Sequence, residues 1–154
     1  MIISSESELI ELGRKFGASL KGGEVIELVG DVGVGKTTFT KGLAQGLGIT
    51  NTINSPSFMI MKSYLSPGGI TLNHYDFYRL DDAGIMKSQI AESIGDSKAI
   101  TVVEWAKGVT GILPKNRQII EIKYLPNSEG REVTMGHPAH SATQNVAGSR
   151  KGDL

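Results

Sequence analysis

The chain has 154 residues, a length that suits one domain with one substantial core. Lys and Arg number 16, as do Asp and Glu, so the zero net charge argues against a global electrostatic grip on nucleic acid or an anionic membrane. Cysteine is absent, which removes disulfides, thiolate metal sites and a cysteine nucleophile, and no apolar run approaches the ~20 residues of a membrane span.

The first residues, MIISSESELIEL, carry no basic region followed by an apolar one, so no secretory signal is predicted. Together with the missing cysteines this fits a protein of the reducing cytoplasm. Ser5 followed by Glu8 predicts a capping box, and Leu9, Leu12, Phe16 and Leu20 give the helix after it one apolar face. Lys21, Gly22 and Gly23 stop that helix. Residues 24–29 (EVIELV) predict a buried strand, 30–35 a glycine-rich loop, and 37–47 a helix with Phe39, Leu43 and Leu47 on one face. Gly46 and Gly48 mark its C-terminal end. A polar loop at 49–57 leads to strands at 58–65 and 70–78, joined by the turn SPGG, and these predict an antiparallel hairpin. Asp81 caps a short helix running toward Ile94, with a poor apolar pattern. Residues 99–105 (AITVVEW) form a strand, 118–125 (QIIEIKYL) alternate in and out, and 131–135 pair back through a turn at 127–130. From Gly136 only Val146 and Leu154 are strong hydrophobes, so 1–135 reads as the domain and 136–154 as a disordered tail. Glycine, with 20 residues, is at about twice its average usage of ~7%, so part of the chain needs backbone freedom or close backbone approach.

Residues 30–37, GDVGVGKT, match G-x-x-x-x-G-K-[ST] at every fixed position, between a predicted strand and a predicted helix. Glycines let successive N–H groups turn inward as an anion nest, and the helix start adds partial positive charge. Gly33, Val34, Gly35, Lys36, Thr37 and Thr38 are therefore the candidate nucleotide-binding residues. Lys36 serves the β- and γ-phosphates as a point charge, and the Thr37 hydroxyl serves Mg²⁺. The motif predicts an α/β fold of the P-loop NTPase kind, with a mostly parallel central sheet flanked by helices and antiparallel hairpins at its edges.

Such a site needs a carboxylate for the metal and a group that positions the attacking water. Asp76 and Glu104 each end an apolar strand, and ligands of doubly wound sheets sit at such ends. Spacing does not divide the two roles between them. Ser57, in the loop after the P-loop helix, is placed where nucleotide hydrolases carry a switch loop and is a candidate for Mg²⁺ or the γ-phosphate. Arg79 suits a phosphate or a surface ion pair. Trp105, the sole tryptophan, packs beside the site, and His74 shares a sheet face with Asp76 as a core or supporting histidine rather than a metal ligand. His137 and His140 fall in the predicted tail and receive no role.

With these residues in place the chain resembles the TsaE (YjeE) ATPases of bacterial tRNA threonylcarbamoyladenosine biosynthesis. The resemblance runs from about Ser5 to Met135 and rests on GDVGVGKTTF at 30–39, SPS at 55–57, HYDFYRL at 74–80 and VVEW at 102–105, in that order and spacing. It implies a Mg²⁺-dependent ATP hydrolase, slow by itself, acting with TsaD- and TsaB-type partners and reaching tRNA through that complex, which ATP hydrolysis resets. It implies that Asp76 lies near the metal, that Glu104 is the glutamate near the metal and attacking water, and that Ser57 stands for the threonine of the SPT loop. Ser57 keeps that hydroxyl but loses the methyl group, and the segment after Leu80 lacks the acidic, leucine-containing helix expected of the family.

Three rival readings share the loop. A GTPase has only the short match DDAG at 81–84 in its favour and lacks an N/T-K-x-D guanine reader. A small-molecule kinase calls for an arginine-rich lid, and no arginine occurs between Leu80 and Lys115. A slow nucleotide-dependent switch differs from the hydrolase in rate and in its dependence on partners.

Overall fold

In a computed structural model, residues 1–56, 60–78, 84 and 86–138 are described. The predicted roles of Ser57 and Arg79, the start of the strand at Phe58, the helix cap at Asp81 and the tail beyond Pro138 lie outside the described residues.

The described residues form a seven-stranded sheet in the order β1-β7-β6-β2-β5-β4-β3. The strands are β1 (Ile2–Ile3), β2 (Val25–Val29), β3 (Met61–Leu65), β4 (Thr71–Asp76), β5 (Ala99–Glu104), β6 (Gln118–Tyr124) and β7 (Arg131–Gly136). The four central strands, β6, β2, β5 and β4, are parallel, and β3, β7 and β1 add antiparallel edges. This is the α/β architecture expected from the P-loop pattern. Three helices accompany it: α1 (Glu6–Ser19), α2 (Lys36–Gly46) and α3 (Met86–Gly95). None is long and apolar enough to cross a membrane.

Parallel central strands are covered on both faces, so they read as continuous apolar runs. All six residues of β5 are buried. One face packs Ile26, Leu28, Ile100, Val102, Ile120 and Ile122 against α1 and α2. The opposite face packs Val25, Tyr75, Phe77 and Val103 with Ile90 of α3. The weak apolar pattern of α3 has a physical reason. Ser93 supplies part of its buried face, with its hydroxyl receiving the Asn73 side-chain amide at 2.8 Å.

The sequence reading locates the N-cap of α1 correctly: Ser5 Oγ accepts from the Glu8 amide at 3.2 Å. Glu8 reaches back to the Ser4 amide, at 2.9 Å, rather than to that of Ser5. Strand ends differ from expectation by one or two residues, and β7 extends to Gly136, which pairs with Ile119. β1 was not anticipated, because two residues carry no periodicity. Ile2 and Ile3 pair with Glu132 and Arg131 and tie the N-terminus to the edge of the sheet.

The glycine surplus finds part of its explanation where α1 meets α2. A Cβ on Gly13 or Gly17 would collide with the carbonyl oxygens of Phe39 or Leu43. On the facing helix, a Cβ on Gly42 or Gly46 would collide with those of Ile10 or Arg14. The two helices thus meet backbone to backbone, and α2 carries the P-loop at its start. Gly42→Ala is expected to destabilise the protein by about 1–3 kcal/mol in urea unfolding, the usual range for overpacking. Gly111→Ala, where a new Cβ meets nothing within 4 Å, is expected to stay within about 0.5 kcal/mol.

Candidate functional site

β2 ends at Val29, and the chain turns through the P-loop into α2 at Lys36. The turn uses left-handed backbone at Gly33 (φ 78°) and Gly35 (φ 124°), conformations that side chains with a Cβ rarely adopt. At Gly35 a Cβ would also stand 2.6 Å from Leu9 of α1. Val34 is turned inward and buried, and its carbonyl accepts from Arg131 Nε of β7 at 2.9 Å. The loop is therefore held from the sheet edge as well as by its own turn.

The Lys36 side chain folds back over the loop. Its Nζ donates to the Gly30 carbonyl and, at 3.3 Å, to that of Asp31, and it lies 4.3 Å from the centroid of the Trp105 ring. Burial pushes its pKa down, against the pull of Glu104, Asp76 and Asp31.

The two acids meet because β4 and β5 are parallel neighbours in a register that sets Asp76 opposite Glu104. Asp76 accepts from the Tyr78 amide at 2.9 Å and from Ser55 Oγ at 3.4 Å. Its carboxyl is held above the ordinary range, chiefly by burial, with the neighbouring Glu104 adding to the effect. Glu104 is buried, and its Oε2 lies 2.8 Å from His74 Nε2. Just after Glu104, Trp105 adopts left-handed backbone (φ 56°), costly for a residue with a Cβ, and its ring packs on Tyr78 at 4.9 Å.

A cleft of about 420 Å³ results, lined by Lys36, Thr37, Ser55, Asp76, Glu104 and Trp105, with Gly33, Gly35 and Thr38 on the P-loop side. The fold thus collects Gly33, Gly35, Lys36, Thr37 and Thr38 of the predicted P-loop residues and both acids at one place, whereas Val34 faces the other side of the loop. Ser55, which the sequence did not single out, places its hydroxyl beside Asp76. A second cleft, of about 690 Å³, opens on the other side of the same loop and shares Gly33, Gly35 and Thr38 with the first. Ser4, Ser5, Glu6, Tyr124 and Arg131 line it. None of these five drew attention as a site residue. Only the edge order β1-β7-β6 beside β2 brings them to the P-loop, and no sequence pattern encodes that order.

The donor set offers hard oxygens only: the Thr37 hydroxyl and the Asp76 and Glu104 carboxylates. Such a set suits Mg²⁺, which favours one or two carboxylates with water and phosphate oxygens completing its shell. Two buried carboxylates facing one lysine also leave local negative charge that a divalent cation would offset.

The family pattern described as "Threonylcarbamoyl adenosine biosynthesis protein TsaE" matches residues 3–133. The chain belongs to the TsaE family. It is 43% identical over 122 residues to the tRNA threonylcarbamoyladenosine biosynthesis protein TsaE of Bacillus subtilis, covering 76% of this chain and 72% of that one. With the protein of the same name from Streptomyces coelicolor it shares 36% identity over 124 residues, 80% of this chain and 84% of the other. The crystal structure of Bacillus subtilis YdiB superposes with a TM-score of 0.73 at 30% identity, covering 100% of this chain and 95% of that one. The motifs that carry the TsaE resemblance in the sequence lie, where described, around the first cleft.

The raised carboxyl of Asp76 makes a prediction about stability. A carboxyl whose pKa is higher folded than unfolded favours the fold in its protonated form, and that advantage disappears as pH rises through the folded value. At neutral pH the Asp76 carboxylate therefore opposes folding. Asp76→Asn, which keeps an acceptor for the Tyr78 amide, is expected to melt at or above the parental temperature at pH 7. The difference should shrink as pH falls from neutral through the raised folded value and be gone below about 4, near the ordinary aspartate value.

Proposed function

We propose that the chain is a Mg²⁺-dependent ATP hydrolase serving the threonylcarbamoyladenosine modification of tRNA in the cytoplasm. It would act with TsaD- and TsaB-type partners, with hydrolysis resetting their complex and tRNA reached through it. The observation that carries the reading is the meeting of Lys36, Thr37, Asp76 and Glu104 at the adjacent ends of β2, β5 and β4. Family membership supplies the modification pathway.

In this reading the P-loop amides cradle the phosphates, and Lys36 Nζ exchanges its carbonyl partners on Gly30 and Asp31 for phosphate oxygens. Thr37 and Asp76 would hold Mg²⁺, which when bound would supply positive charge against the phosphate oxygens. Glu104 orients the attacking water and accepts its proton as the oxygen attacks the γ-phosphorus and the bond to ADP breaks. The different surroundings of Asp76 and Glu104 support this division of roles. Asp76 has a hydroxyl and an amide as partners, whereas Glu104 is held by an imidazole deeper in the sheet. Burial strengthens each of these electrostatic contacts, and most of the catalysis is positioning of this kind.

The second cleft suits the nucleoside, because the shared P-loop glycines let one ligand run between the two. The Arg131 guanidinium lies 4.3 Å from the Tyr124 ring centroid, forming a flat cationic and aromatic wall for a base. Tyr124→Ala is expected to weaken ATP binding about 5- to 100-fold, the range set by losing one base–aromatic stack. Equilibrium titration against the parental chain tests this.

The catalytic assignments are tested by ATP hydrolysis with the two partner proteins present, with GTP alongside. Lys36→Ala is expected to abolish productive ATP binding. Glu104→Gln is expected to bind ATP within a few-fold of the parent and to lose about 100-fold or more in hydrolysis, the usual scale for a proton acceptor. Parental hydrolysis by Glu104→Gln would overturn its assignment, and hydrolysis indifferent to the partners would overturn the resetting role.

A further inference from the structure

His74 is completely buried, yet its chemistry is poorly suited to a core. It lies on β4 two residues before Asp76, so both side chains leave the same face of the strand. Its Nε2 stands 2.8 Å from Glu104 Oε2 across the β4–β5 pair. Its other nitrogen, Nδ1, is buried with no hydrogen-bond partner. An unpaired buried polar atom costs free energy that a leucine or methionine there would not incur. Packing therefore does not account for a histidine at this position, and among the described residues its side-chain hydrogen-bond partner is the carboxylate.

The same contact settles the tautomer. A carboxylate only accepts, so Nε2 carries a proton, and in the neutral ring Nδ1 is then the bare lone pair. That is the cheaper nitrogen to strand in an apolar surrounding, since no N–H is left without an acceptor. A glutamate side chain has three rotatable bonds, and burial alone does not choose among the directions its oxygens can take. Held by one oxygen, it has one orientation, with the other oxygen left for the cleft.

We propose that His74 is a positioning residue for Glu104: its Nε2–H pins one carboxylate oxygen so that the other is presented to the attacking water. The proposal rests on the hydrolytic role assigned to Glu104 above. It belongs to the folded chain itself and needs no ligand to be present.

Two measurements test it. In the nucleotide-free protein, imidazole ¹⁵N–¹H spectra should show one slowly exchanging, hydrogen-bonded proton on Nε2 of His74, which shifts in Glu104→Gln. An Nε2 that carries no proton, or one that exchanges freely with water, would overturn the proposal. In hydrolysis assays run with the partners, His74→Leu is expected to lose about 10- to 100-fold in kcat while ATP Kd stays within about twofold, the scale seen when an outer hydrogen-bond partner is removed. His74→Gln, whose side-chain amide can donate from near the Nε2 position, should recover most of the rate. If His74→Leu does not fold, His74→Asn, whose shorter amide falls short of Glu104, replaces it in the comparison with His74→Gln. Parental kcat in His74→Leu or His74→Asn beside an inactive Glu104→Gln would overturn this proposal alone. A parental rate in Glu104→Gln would overturn the role of Glu104, and this proposal with it.

Discussion

Parallel strands cannot be joined by tight turns, so the chain leaves the sheet at the end of each strand and crosses back over its face. In this protein β2, β5 and β4 run in parallel side by side, and their ends lie at one level, with Leu28 opposite Glu104 and Glu104 opposite Asp76. Everything the site contains follows from that edge. The P-loop is the continuation of β2, and the two acids are the last residues of the other two strands. Because both faces of these strands are covered, a charged group within them needs a partner, as Glu27 of β2 has in Arg117 at 2.9 Å.

Burial makes the site electrostatically tense. One ammonium group, on Lys36, faces two carboxylates, and all three are nearly removed from water. Lys36 is stabilised by loop carbonyls and by the face of Trp105, Glu104 by His74, and Asp76 by Ser55 and the Tyr78 amide. The left-handed backbone of Trp105 belongs to the same arrangement, because it brings the ring under the ammonium group immediately after Glu104.

Glycine serves two separate ends. In the P-loop, Gly33 and Gly35 provide backbone shapes that expose amides to an anion. Between α1 and α2, Gly13, Gly17, Gly42 and Gly46 let two backbones approach without intervening side chains. The two uses are connected, since α2 begins at the P-loop and Leu9 of α1 packs where a Cβ on Gly35 would stand. The helix that anchors the nest is itself fixed by the second group of glycines.

Local pattern and motif chemistry determined much of this protein without a structure. The capping of α1, the P-loop and its helix, the apolar runs of β2 and β5, and the acids that end β4 and β5 are all properties of short stretches, set by helical or strand periodicity and by turn chemistry. Tertiary structure decided what those stretches meet. It paired His74 with Glu104 across two strands, tied Arg131 of the last strand to the carbonyl of Val34, recruited Ser55 to Asp76, and made β1 from two isoleucines with no pattern of their own. Each of these contacts joins residues 21 or more positions apart. Periodicity reports which face a residue occupies, but only the order of strands in the sheet decides which other face it will touch.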